Sequence, residues 1–469
     1  VSTTEQTLGP PNDQKIRGRA WAVLIVLCGT IFLEGIDVSM MGVALPSIRA
    51  ELGMSTVGLQ WVVSAYVLGY GGFVLLGGRA ADLLGRRRMF LTFIAIFIVF
   101  SGLGGLATEG WMLIVARFAT GVAAAFLTPA SISIVTTTFA EGRQRNQAML
   151  VFAGAGAGGF SLGMVVGGLL SAVDWRWVFF APVIMSTAIL IGAIALLPKI
   201  GRIQRQGGFD LAGALTLTGA MLLLVYGLVQ LPEVDAGQTI ATIAASLLLL
   251  AAFVAIERKS PDPLIRFGIL RSASLVRANV GAMLLVGSFT GFQFITVLYL
   301  QELRGWSEIE TGLALAVAGI DAILAPTVTP ILVRRYGNAK VIVGGFLAVA
   351  AAYALLLPLG MDWSFLMLLP SMLLLGVAFT LTYGPLMMTA TDGVAESEQG
   401  LASGIVTTSF QFGSALGLAI VAMVLAAAVG ASVDPVETLN GYRTALLVPV
   451  AGSLIAIAVA LTGARRKGA

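Results

Sequence analysis

The sequence predicts an all-α membrane protein that crosses the bilayer fourteen times. Two features of composition and one of pattern carry that expectation. Of 469 residues, 58% are hydrophobic and only 11% are charged, whereas soluble domains carry about 25% charged residues. Mean hydropathy is +0.94. Apolar runs of at least 18 residues recur along the chain, the length a helix needs to cross about 30 Å of hydrocarbon at 1.5 Å per residue. The short alternating strands of a β-barrel are absent.

The first 19 residues are polar, with Pro10, Pro11, Lys15, Arg17 and Arg19, and read as a cytoplasmic tail. Residues 20–46 are the first span; the run is far longer than a signal-peptide core and no small-residue cleavage site follows it. Spans two to six follow at roughly 57–79, 87–107, 110–137, 146–172 and 176–198, with internal Pro and Gly that membrane helices tolerate. Spans seven and eight, 210–230 and 238–257, stand between the cationic stretches PKIGRIQRQGGFD and ERKSPDPLIRFGILRSASLVRAN. In the second stretch apolar residues alternate with Arg266, Arg271 and Arg277, as in an interfacial amphipathic helix or a solvated linker. The last six spans are 276–301, 310–333, 339–360, 363–389, 400–430 and 443–463. This gives a tail (1–19), a six-helix half (20–200), a two-helix insertion (201–260), a second six-helix half (261–464) and a short cytoplasmic tail (465–469).

With the N-terminus inside, 23 Lys and Arg fall in inner segments and four (Arg49, Arg176, Arg304, Arg443) in outer ones, while Arg117 lies within a span. This distribution places both termini in the cytoplasm. The net charge of +4 then reflects topology and calls for no nucleic-acid partner. The single cysteine, Cys28, excludes a disulfide within the chain, and the absence of His leaves proton chemistry to carboxylates. No metal-ligand cluster, nucleotide loop or room for a catalytic domain points to an enzyme or to a bound cofactor.

A short turn recurs. GGRAADLLGRRRMF, Gly77 to Phe90, lies between spans two and three, and PILVRRYGNAK, Pro330 to Lys340, between spans ten and eleven. An offset of 252 residues lays Gly78 on Pro330, Gly85 on Gly337 and Arg88 on Lys340, as in transporters built from internal repeats.

GGRAADLLGRRR resembles the loop signature of the major facilitator superfamily. Arg117 and Gly121 in RFATGVAAA resemble its fourth-helix arginine motif, and GFSLGMVVGG, Gly159 to Gly168, its fifth-helix antiporter motif with Met164 replacing the usual Pro. DVSMMGVALP resembles the first-helix motif of the fourteen-span drug:proton antiporter branch, with Asp37 on its acid, Ser39 where Thr is usual and Gly42 where Asn is usual. The likeness covers nearly the whole chain. It implies a proton-driven exporter, working by alternating access between two halves in a bacterial inner membrane, with the proton gradient in place of any cofactor. It also implies that Gly78, Asp82, Gly85, Arg86, Arg87 and Arg88 form a gate whose charges contact the opposite half.

The acids within the spans carry the chemistry. A charge at mid-membrane costs about 2.5–3.5 kcal/mol on insertion scales and normally faces a cavity. Glu34 and Asp37, three residues apart in LEGIDVSMMGVALP, share one helix face. Two carboxylates crowded in a low-dielectric site repel when both are ionised, which suits a proton carrier. Arg117, the cation in span four, lies at a depth near Asp37, so the two are expected to pair until a proton arrives, or to form a purely structural pair. Asp321, in span ten, is a candidate contact for a cationic substrate or a second proton. Glu34 is a second candidate for the substrate, and Tyr66, Phe292 and Tyr383 are candidate ring faces for a lipophilic cation. In span five, Gly159, Gly163, Gly167 and Gly168 predict close helix packing in preference to a kink at Met164.

Together these observations favour a monomeric, proton-coupled exporter of hydrophobic, cationic small molecules. An exporter of a lipid or endogenous metabolite and a proton-coupled importer remain the alternatives.

Overall fold

Lipid offers no partner for a bare peptide group, so each spanning segment satisfies its backbone internally as helix and covers its ends with turns and caps. In the computed structural model, which describes residues 18–139, 143–197, 208, 210–230, 235–392, 394, 398–430 and 434–466, no strand occurs among the described residues. The helices are α1 Arg19–Leu52, α2 Thr56–Leu84, α3 Arg86–Gly105, α4 Gly110–Thr138, α5 Arg143–Ser171, α6 Trp177–Leu196, α7 Leu211–Gln230 and α8 Ala236–Lys259. They continue as α9 Ala273–Leu298, α10 Glu308–Ala316, α11 Asp321–Tyr336, α12 Asn338–Ala354, α13 Phe365–Thr391, α14 Gln399–Val429 and α15 Pro435–Arg466. A π turn, Tyr299–Leu303, extends α9, and a 3-10 turn, Val317–Ile320, joins α10 to α11 within one crossing. Among the described residues thirteen segments are long and apolar enough to span, and α12 is a shorter apolar helix. Fourteen crossings fit this set.

Three expectations shift. α1 runs past Pro46 to Leu52, and α15 begins at Pro435 instead of 443. The stretch before α9 forms only a five-residue 3-10 turn, Phe267–Arg271, where a longer interfacial helix was one reading; Pro261 and Pro263 stand just upstream and do not continue a helix.

The repeat is written into the backbone. Gly85 (φ +98°) and Gly337 (φ +81°), 252 residues apart, turn the chain into α3 and α12 through a conformation that L side chains rarely adopt. The same offset relates Gly53 (φ +62°) to Gly305 (φ +67°), and the helix-capping Ser55 to Ser307.

Helices α1 to α6 pack on one another and α9 to α15 do likewise; α7 and α8 form a pair that rests on α2 and α14. On α5, a side chain at Gly159, Gly163 or Gly167 would run into the backbone of Phe32, Ile36 or Met40, so α1 and α5 touch main chain to main chain. This is the close packing expected of the run, and Met164 sits buried within it.

The face from which α1 rises and to which α15 returns is here called the terminal face. At the opposite face the two sets of helices are bound together. Arg49, near the end of α1, makes a fork of bonds of 2.7 and 2.6 Å to Glu302 in the π turn. Ser47 donates to Glu308 at 2.8 Å, and Gln301 to the Val43 carbonyl at 3.0 Å. Gly168 lies against the Glu308 carbonyl. Toward the terminal face, Gly154 and Gly158 of α5 and Gly384 of α13 look into open space. The central space is therefore closed at the face opposite the termini.

Arg49→Gln should loosen the closed end. An exposed ion pair contributes about 0.2–1 kcal/mol, which shifts a two-state population by up to about fivefold. Thiol labelling of Val43→Cys, in a Cys28→Ser background, should speed up by up to about that factor; an unchanged rate would mean that the fork does not hold the seam.

Candidate functional site

One turn of α1 carries both acids, and α4 supplies their partners. Arg117 Nη1 donates to Asp37 Oδ2 at 2.7 Å, with the two side chains only 2% and 1% exposed. This is the pairing predicted from depth alone. Tyr66 of α2 lies beneath the guanidinium, its ring centroid 4.3 Å from the central carbon. Arg117 Nε and the Tyr66 hydroxyl are buried without hydrogen-bond partners. The pair is thus well gripped at one edge and short of partners at the other, where the Arg117 Nε–H donor has no acceptor.

Glu34 is half-buried and faces the same space. The Thr128 hydroxyl donates to its Oε2 at 2.5 Å, and Tyr70 is a second hydrogen-bonding neighbour. A small cavity bordered by Thr30, Glu34, Tyr66 and Phe97 adjoins the acid. The two carboxylates thus differ in environment, Asp37 sealed against a cation and Glu34 half-buried and bound by hydroxyls.

From the other half, Asp321 opens α11 directly after the 3-10 turn, half-buried, with hydrogen bonds to backbone amides only. Tyr383 of α13 is 48% exposed and stacks on Phe410 of α14, centroids 4.7 Å apart and planes 10° from parallel. An aromatic shelf is thus shared by α13 and α14. Phe292 departs from expectation. It is 1% exposed and packed against Tyr353, with centroids 5.2 Å apart, so in this conformation it builds the core of the second half and does not line the space. Tyr66 is likewise fully buried, placed under Arg117 and against the Glu34 cavity.

The family model of the Major Facilitator Superfamily matches residues 27–418. The chain belongs to the major facilitator superfamily. This major facilitator is 35% identical over 452 residues to the puromycin resistance protein pur8 of Streptomyces alboniger, covering 92% of this chain and 88% of that one. It is 34% identical to the cephamycin export protein CmcT of Amycolatopsis lactamdurans, covering 94% and 91%. Among solved structures, the nucleoside transporter NupG superposes with a TM-score of 0.70 at 14% identity, over 95% of this chain and 99% of that one. That likeness speaks for the fold.

Two arginines of the loop signature of this major facilitator bond to carbonyls of the first six helices. Arg86 bonds to the Ser133 carbonyl of α4 at 3.1 Å, and Arg87 to the carbonyls of Leu197 and Ile194, at the end of α6, at 3.1 and 2.9 Å. These bonds stay within the first six helices, and Arg88 points into solvent. Gly78 lies near Pro129 of α4, and Gly85 supplies the positive-φ turn. The Asp82 side chain lies outside the described residues.

Sequence reading missed Thr128, Ser47 and the Arg49–Glu302 fork. Threonine and serine are ordinary in membrane helices, and a carboxylate at a helix end reads as a solvated terminus. The Gly-x-Ser repeated at Gly53 and Gly305 was a usable signal for the second turn of the repeat.

Proposed function

We propose that this major facilitator is a proton-coupled exporter of hydrophobic, cationic small molecules in a bacterial inner membrane. The observation that carries the reading is the central space sealed at one face. It holds the buried Asp37–Arg117 pair on one side and the stacked rings of Tyr383 and Phe410 on the other. The names of the relatives that export or confer resistance to antibiotics support the export direction. The Lys and Arg distribution supports a cytoplasmic terminal face with both termini inside, and on this reading the sealed seam at the opposite face is the outer gate, closed. Residues 20–200 and 261–464 act as the two moving halves of a monomer, with 201–260 inserted between them.

In this state Asp37 is ionised and held by Arg117. A lipophilic cation enters from the cytoplasm, lays its apolar surface on Tyr383 and Phe410, and neutralises its charge against Glu34 and Asp321. The seam at Arg49–Glu302 and Ser47–Glu308 then parts while the terminal face closes, with Asp82 and Arg86 to Arg88 supplying the closing contacts. In the outward-open state a proton adds to Asp37 and breaks its charge-assisted bond to Arg117. Substrate leaves, and the protonated carrier returns and gives up the proton inside. The proton gradient does the work, and no bound cofactor takes part.

Accumulation of puromycin and of a fluorescent lipophilic cation in an exporter-deficient host tests this reading. Cells carrying the wild type should hold less of at least one compound than cells carrying Asp37→Asn, and a protonophore should erase the difference. Greater accumulation with the wild type would reverse the direction and make the protein an importer.

A further inference from the structure

Away from the central space, at the terminal-face end of the two-helix insertion, two more carboxylates are buried. Asp210 caps α7, its Oδ1 accepting from Gly213 N at 2.7 Å, and is 6% exposed. Glu257, one turn from the end of α8, accepts from Ile265 N at 3.2 Å through Oε2 and is 3% exposed. The remaining oxygens, Asp210 Oδ2 and Glu257 Oε1, are buried with no hydrogen-bond partner. Both carboxyl groups converge on Gly213: a methyl group there would lie 2.9 Å from Glu257 Oε1 and 3.0 Å from Asp210 Oδ1. The missing side chain leaves room for the acids to meet.

Among the described side chains, the surrounding charge does not balance two ionised carboxylates. From α2 comes one cation, Arg79, which is spent on the linker: it bonds to the carbonyls of Asp262 and Pro263 and lies 3.6 Å from Asp262 Oδ1. Asp262 adds a third carboxylate, whose Oδ2 accepts from Gly208 N at 2.6 Å. On α8 itself, Arg258 and Lys259 are exposed, and beyond the linker Arg266 lies 3.8 Å from Glu398. Among the described side chains, one guanidinium thus faces three carboxylates. An unpaired buried carboxylate costs several kcal/mol, whereas a carboxylic acid donating to a neighbouring carboxylate removes one charge and gives an orphaned oxygen a partner.

We propose that Asp210 and Glu257 form a second proton-binding site, in which one proton is shared between the two carboxyl groups and fastens the α7–α8 insertion to the linker that Arg79 holds on α2. The site is separate from Asp37. It gives the insertion a clasp on the first half at the face that opens and closes.

Infrared difference spectroscopy of the full chain in lipid at neutral pH tests the site without any substrate. The carbonyl band of a protonated carboxylic acid should be lost in Glu257→Gln and equally in Asp210→Asn, because either amide donates to the remaining carboxylate and displaces the proton. It should persist in Asp37→Asn, so failure here and failure of the export reading are told apart. Both substitutions are isosteric, and Asn retains the capping oxygen of α7, so folded protein is expected from each. A band that survives in both variants overturns the proposal. One that survives in Asp210→Asn alone overturns the sharing, since the proton would then belong to Glu257 by itself.

Discussion

Arg117→Leu, made alone, should yield a protein that folds poorly and does not transport. The 2.7 Å bond to Asp37 lies between side chains 2% and 1% exposed, where neither partner can turn to water. Removing one member of such a pair leaves the other charge uncompensated and costs about 3–5 kcal/mol, a large share of the about 5–15 kcal/mol that holds a typical domain. Replacing both members with apolar groups of similar size avoids that penalty. Arg117→Leu combined with Asp37→Leu should therefore recover much of the folded yield and melting temperature lost in Arg117→Leu, while remaining inactive. Size-exclusion yield and thermal melting of the two single variants and the double variant give the coupling directly. If the double variant melts no higher than Arg117→Leu, the pair is not what holds α1 against α4.

The same cycle shows why this part of the site was legible in the sequence. An acid and a base, each isolated in a long apolar helix and placed at one depth, have few stable choices other than one another. Glu34 has more choices. Its partner Thr128 could not be picked from the other hydroxyls of the spans, because hydropathy gives depth along a helix but not the direction in which a side chain points. Phe292 illustrates the same limit: a large ring at the right depth turned toward Tyr353 and away from the space. Helix number and order followed from run length. The 3-10 turn at Val317–Ile320, which delivers Asp321 to the start of α11, did not, because a window average passes smoothly over LAVAGIDAIL. The half-to-half relation was visible at Gly85 and Gly337, where glycine stands beside cations. At Gly53 and Gly305 two short residues in a dissimilar context concealed it until their shared positive φ was seen.

Asp37→Asn should abolish coupling at a smaller cost to the fold than Arg117→Leu. Asn keeps the shape and a hydrogen-bonding oxygen for Arg117, which offsets part of the cost of the uncompensated guanidinium, but the group can no longer exchange a proton. The charge on Arg117 then has a neutral partner in every state, and the cycle loses the step that distinguishes the proton-loaded carrier from the empty one. Substrate binding around Tyr383, Glu34 and Asp321 should persist, since none of these contacts passes through Asp37. A variant that binds but does not exchange is the expected phenotype.

The most direct measurement is proton release from acidified everted membrane vesicles on addition of a panel of lipophilic cations, with wild type and Asp37→Asn at equal expression. The account predicts substrate-triggered collapse of the pH gradient with wild type and none with Asp37→Asn. A response that persists undiminished in Asp37→Asn would contradict it and move the coupling proton to another carboxylate, Glu34 or Asp321.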